Sequence, residues 1–164
     1  MANTYYSLPI KIRQSATTGS GATVFSMRNG ASSTVTIYVE RIALNVNFDA
    51  LTPVSSLQGY DLVRFSTATP TGGTSISVAQ MYSGDVGTQI SDARFLDTGL
   101  TTTGVVFNPP FCTIGVAASN GVTVPFSREG VVLILGVGEG FCIRLNGAAL
   151  VGQSITGEIV WSER

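Results

Sequence analysis

The sequence predicts an all-β protein, an antiparallel β-sandwich of about eight to ten short strands in one domain over residues 1–164. Three observations predict it. Apolar residues recur with period two along most of the chain, the spacing of strands that bury one face. Asn29-Gly30, Asn120-Gly121 and Asn146-Gly147 punctuate the apolar segments with a dipeptide that favours tight turns. No segment has apolar residues at the spacing of an amphipathic helix, and no internal repeat is visible.

The elements follow in order. Tyr6, Leu8, Ile10 and Ile12 alternate with Ser7, Pro9, Lys11 and Arg13, which makes one strand with a wet face; residues 1–14 are also the candidate for an extended N-terminal arm. SATTGSGAT, residues 15–23, is a polar loop, after which Phe25 and Met27 open a strand that stops at Asn29-Gly30. In TVTIYVERIALNVNF the apolar phase slips at Glu40-Arg41, from Val35, Ile37 and Val39 to Ile42, Leu44, Val46 and Phe48. Such a slip marks a bulge or a corner between sheets, and the absence of turn residues favours one long bent strand. YDLVRFSTA supplies the next strand. Residues 76–96, with Ile76, Val78 and Met81, fit a strand or a short helical turn. Gly104 to Ile114 reads as a strand broken at Pro109-Pro110. Val122 and Val124 start another after Asn120-Gly121, and VVLIL, FCIRL and ITGEIVW close the chain, with Trp161 sharing the core parity of Ile155 and Ile159.

Charged residues are only 12% of the chain, about half the share of an ordinary soluble domain, while hydrophobic residues reach 44% and mean hydropathy is +0.34. A membrane is not the expected reason. No apolar run approaches the roughly 18–20 residues of a spanning helix, and the longest, Val131 to Val137, is broken at Gly136. The opening MANTYYSLPIKIRQ has no apolar stretch behind a basic start, so no secretory signal is expected. Coverage by other chains explains the missing charge better. Net charge is −1 with no basic stripe, which argues against nucleic acid and against an anionic membrane surface as partners. Lys11 is the sole lysine beside eight arginines, a bias that suits planar contacts at interfaces or reflects a GC-rich genome.

Histidine is absent, which removes the commonest general base and metal ligand, and a non-enzymatic protein without cofactor or metal is expected. Cys112 and Cys142 cannot make a four-ligand zinc site alone; one disulfide is possible, and two free buried thiols fit a cytosol-assembled protein better. Asp85, Asp92 and Asp97 are spaced too loosely for a calcium loop and read as solvated charges. GVGEGFCIRL, residues 136–145, invites a phosphate-cradle reading. A cradle works by leading into a helix N-terminus, and Phe141 to Leu145 alternates as a strand, so this is a hairpin turn whose Glu139 keeps the tip solvated.

Two strands point both ways. In VVLIL, Val131, Leu133 and Leu135 face one side while Val132 and Ile134 face the other, and in its expected hairpin partner Cys142 opposes Phe141 and Ile143. Val132, Ile134, Cys142, Arg144, Tyr5 and Tyr6 are therefore the candidate subunit interface, the hairpin lying centrally with its second face against another layer or subunit. Of the adjacent Tyr5 and Tyr6, one ring is expected inside and one at the surface.

The closing run REGVVLILGVGEGFCIRLNGAALVGQSITGEIVWSER resembles the final strands of small β-sandwich virion proteins of tailed phages: a strand, a Gly-Glu-Gly turn, an aromatic-led strand and an Ile-x-Trp-like strand. ERIALNVNFDAL is similar in a less specific way. The resemblance implies a jelly-roll-like fold and a capsid decoration or cement protein. Such a chain is made in the host cytoplasm, forms a dimer or trimer, and binds the major capsid protein on the virion surface. It implies no catalytic residue. A phage tail, neck or head-fibre component is the first alternative. A lectin-like carbohydrate-binding module using Tyr5, Tyr6 or Tyr82 is the second.

Overall fold

The computed structural model describes residues 4–14, 18–48, 58–76, 78–80, 90–96, 99–116, 121–125, 133–147 and 153–164. These form thirteen strand segments: β1 (Thr4–Gln14), β2 (Thr23–Asn29), β3 (Ile37–Phe48), β4 (Gln58–Ser66), β5 (Thr74–Ser75), β6 (Ala79–Gln80), β7 (Ile90–Phe95), β8 (Val106–Phe107), β9 (Cys112–Val116), β10 (Gly121–Pro125), β11 (Leu133–Leu135), β12 (Gly140–Asn146) and β13 (Gln153–Glu163). The all-β antiparallel sandwich is thus realised, with several pieces shorter than expected. One sheet runs β10-β3-β13-β1-β6, with β11 also beside β3; the other runs β5-β7-β2-β12-β4-β8, with β9 also beside β4. They are called here the β13 sheet and the β12 sheet.

The pairing is nested. β1 pairs with β13, β2 with β12, β3 with β10 and β4 with β9, all antiparallel. A chain paired first-with-last in this way is a long hairpin rolled up, and successive long strands then alternate between the two sheets. That winding is a jelly roll.

The period-two pattern decides which side of each strand is inside. Tyr6, Leu8, Ile10 and Ile12 of β1 are buried and meet Phe25, Leu62, Phe141 and Ile143 of the other sheet in one apolar core. Tyr6 stacks on Trp161 at 5.6 Å between ring centroids, in the row formed by the pair Tyr6↔Trp161. The Glu40-Arg41 phase slip is a bulge within one continuous strand. Val160 opposes Arg41 and Trp161 opposes Val39, so no β13 residue stands opposite Glu40 in register, and Val39 and Ile42 both stay in the core.

Two expectations need correction. The N-terminal segment is no arm from Thr4 onward: β1 is paired with β13 along its whole length. Leu133–Leu135 and Gly140–Asn146 are not a hairpin, because β11 pairs with β3 in one sheet while β12 pairs with β2 and β4 in the other. The glycine-rich turn is therefore an arch between sheets, and β11 lies beside β3 rather than centrally. In the stretch 76–96, left open between strand and helical turn, the described residues include the strands β6 and β7, and Met81 lies outside them.

Asn29 ties this arch to the neighbouring one. Its side chain is fully buried, and Nδ2 points at the carbonyls of Val35, Leu135 and Gly136 at 3.0–3.2 Å. The backbone N–H of Asn29 donates to Glu139 O at 2.9 Å. One amide thus ties together two crossings that run side by side, since β2 pairs with β12 and β3 with β11. Removing it takes the side-chain donor from the buried Leu135 carbonyl, while Val35 O keeps Ser33 Oγ and Gly136 O keeps Glu139 N, and it empties a fully buried position, a loss of about 1–3 kcal/mol. Asn29→Ala is expected to lower the urea midpoint accordingly with the slope unchanged, and an unaltered midpoint would contradict this role.

Candidate interaction surface

Each sheet has an outer face, and the two are built differently. On the β12 sheet, Val63, Phe65 and Cys142 point away from the main core, yet each is at most 1% exposed. What covers them is the chain's own 101–111 segment. Val105 and Phe107 pack on this second cluster, and the Phe107 ring meets Phe65 edge-on at 6.5 Å. Asn108 N donates to Arg64 O and Phe111 N to Leu62 O, so the segment is hydrogen-bonded to β4 on both sides of Pro109-Pro110. Arg144 closes the other flank. Its guanidinium lies 4.5 Å from the Phe107 ring centroid and donates to Gly21 O from Nε (3.0 Å) and Nη2 (2.8 Å).

Gly140 fits under this layer for a steric reason. A Cβ there would stand 2.4 Å from Phe65 Cζ and 2.6 Å from Met27 O. The glutamate before it is a turn residue. Glu139 Oε2 accepts from Gly136 N at 2.8 Å, Gly138 holds φ 76°, and Arg28 Nε donates to Gly138 O at 3.0 Å.

The β13 sheet presents its outer face differently. Register places Tyr5, Ser162, Tyr38 and Ile134 side by side across β1, β13, β3 and β11. Successive rows below them are Ser7, Val160 and Arg41, then Pro9, Glu158 and Ala43, then Lys11, Thr156 and Asn45. Apart from Ser162, these residues are half-buried or exposed. Ser7, Ala43, Thr156 and Ser162 are the short side chains of this face. Its charges are largely consumed within it: Arg41 pairs with Glu158, Ser162 Oγ donates to Glu40 at 2.8 Å, and Arg164 lies 3.6 Å from Glu40 and 4.5 Å from the Tyr38 ring centroid.

The six candidate interface residues therefore do not form one site. Tyr5 and Ile134 share a row on the β13 sheet's outer face. Tyr6 is inside the core, stacked on Trp161, and has no surface to offer. Cys142 and Arg144 belong to the opposite sheet, where Val105 and Phe107 from the edge segment beside β4 pack against the cluster that holds Cys142. Val132 lies outside the described residues. Sequence reasoning missed Tyr38, Val160 and Ala43. Their signal was present in parity: each stands opposite the core residues of its strand once the Glu40 bulge is counted.

The two thiols are free, Cys112 half-buried and Cys142 buried. Cys112 opposes Leu62 on the core side of β4 and Cys142 opposes Val63 on the outer side, so the sheet itself separates them. Burial pushes the Cys142 thiol up to about 12, against a smaller downward pull from Arg144. Burial also raises Cys112. A thiol raised on folding favours the native state fully below its unfolded value near 9.0, and that contribution is lost as pH climbs from there towards 12. Stability is expected to fall over that window, and the fall should shrink in Cys142→Ala. An alkylating reagent should label Cys112 ahead of Cys142 in the native protein; the reverse order would contradict the covered face.

Among the described residues no group of three or more Cys, Asp or Glu comes together to hold a metal. Asp92 accepts from Arg94 Nε with both carboxylate oxygens, while Asp85 and Asp97 lie outside the described residues. Neither a protein-family model, nor a curated protein, nor a solved structure matches the chain.

Proposed function

We propose that this chain is a non-enzymatic virion structural protein, a decoration or cement protein that oligomerises and stabilises a phage head by binding the major capsid protein. The carrying observation is the inequality of the two outer faces. One is sealed by the protein's own 101–111 segment. The other holds the ion pairs Arg41–Glu158 and Arg164–Glu40 within itself and presents Tyr5, Tyr38, Val160 and Ile134, in a chain with only 12% charged residues. Such a face suits packing against a neighbouring sheet or subunit, where charges must be paired before they are dried. The jelly roll supports the reading as a frequent build of capsid domains, although lectins and cupins share it.

Heads assembled without this protein provide the test. Adding the purified chain should raise the temperature at which they disrupt, and an unchanged temperature would overturn the reading. A tail, neck or head-fibre role would use the same face elsewhere, and gold-labelled antibody in electron micrographs of particles separates those places. Of the three rings the lectin reading offers, Tyr6 is stacked on Trp161, Tyr5 is half-buried on the β13 sheet, and Tyr82 lies outside the described residues.

A further inference from the structure

Asn146 is the last residue of β12 and is exposed, and Gly147 follows it at φ 106°. Asn146 Nδ2 donates to Asp61 Oδ1 at 3.1 Å, an oxygen that also accepts from Thr113 Oγ1 at 2.7 Å. The Gly147 N–H donates to the hydroxyl of Ser20, itself exposed, at 3.2 Å. An exposed asparagine side chain at a strand end is thus followed by a glycine, whose nitrogen has no Cβ beside it and is held only by the exposed Ser20 hydroxyl among the described residues. We propose that Asn146 is a site of spontaneous deamidation, and that the carboxylate formed there opposes Asp61 and loosens this end of the β12 sheet.

The chemistry needs only water. A bond forms between Gly147 N and Asn146 Cγ, the Cγ–Nδ2 bond breaks, and Nδ2 leaves as ammonia with the proton that Gly147 N gives up. Water then opens the cyclic imide at either carbonyl, leaving aspartate or isoaspartate. Where the amide donated to Asp61, two carboxylates now face each other, and like charges in contact repel. Isoaspartate also adds a methylene to the backbone beside the pair Asn146↔Gly59, where Gly59 already lies close under the Asn146 side chain.

The same dipeptide at Asn29-Gly30 provides an internal control. Asn29 is fully buried with its amide on three carbonyls, so it reacts only after local opening. Asn108 precedes Pro109, whose nitrogen carries no proton, and Asn45 and Asn47 precede the bulky Val46 and Phe48. Trypsin separates the two sites. Cleavage after Arg144 gives a peptide to Arg164 in which Asn146 is the sole asparagine, and cleavage after Arg28 gives one to Arg41 in which Asn29 is the sole asparagine.

Folded protein is incubated at neutral pH and 37 °C, digested at intervals, and each peptide compared by mass spectrometry with a zero-time digest. Conversion at Asn146 is expected to outrun that at Asn29 by about tenfold or more, the ratio that a modest opening cost at the buried site produces. The Asn146→Asp variant is expected to melt below the parent. Conversion at Asn146 equal to or slower than that at Asn29, or an Asn146→Asp variant melting at or above the parent, would overturn the proposal.

Discussion

Trp161→Ala is expected to cost about 3–5 kcal/mol, the largest loss from any single truncation in this chain. Trp161 is the largest fully buried side chain, and it sits on β13, between β3 and β1 in the sheet. Its removal takes away apolar area and also the face against which Tyr6 stacks at 5.6 Å. The indole N–H donates to Glu163 Oε1 at 3.2 Å, so the substitution strips a donor from a buried carboxylate as well. Small relaxation cannot fill the gap, since the neighbours are strands fixed in register on both sides. Denaturant unfolding followed by tyrosine fluorescence measures it; a loss below about 1 kcal/mol would show that the stack is not central to the core.

Gly157→Ala is expected to be nearly as damaging for the opposite reason, too much matter instead of too little. Gly157 lies in the middle of β13, paired with Ile10 on β1 and Leu44 on β3. A Cβ built there would stand 1.9 Å from Ala43 O and 3.0 Å from its carbonyl carbon. Those are backbone atoms of a paired strand, so no rotamer change relieves the clash and the ladder itself has to move. Overpacking of this kind costs about 1–3 kcal/mol and more where the backbone cannot yield. Gly140→Ala should be milder, because part of its clash is with the Phe65 ring, which can turn. If Gly157→Ala proves the milder of the two, the close approach of β3 to β13 is not a constraint on the fold.

These two residues also show what was legible in the sequence. Trp161 could be placed inside from its parity with Ile155 and Ile159, since alternation is local information. Glu40 could be recognised as a slip for the same reason, and it proved to be a bulge. Strand partners are not local information. Leu133–Leu135 and Gly140–Asn146 look like a hairpin because a glycine turn joins them, but nested pairing sends them to different sheets. Asn29-Gly30 and Asn146-Gly147 mislead in the same way, as each ends a strand of the β12 sheet whose successor lies in the β13 sheet. Cys142 was rightly put opposite Phe141 and Ile143, but its cover comes from Val105 and Phe107, about thirty-five residues earlier in the chain. No pattern around Cys142 contains that. The row Tyr5, Tyr38 and Ile134 was half-legible: two of its members stood out by composition, and only register brings the third between them.

The claim on which the functional reading depends is that the outer face of the β13 sheet is covered by another chain. Sedimentation equilibrium at micromolar concentration tests it most directly, run on the parent and on Val160→Glu, which sets a charge in the middle of that face without touching the core. The parent should sediment as a multiple of the 17.1 kDa chain and the variant at a lower mass, with both folded by circular dichroism. A parent that sediments as a single 17.1 kDa chain across that range would contradict the account.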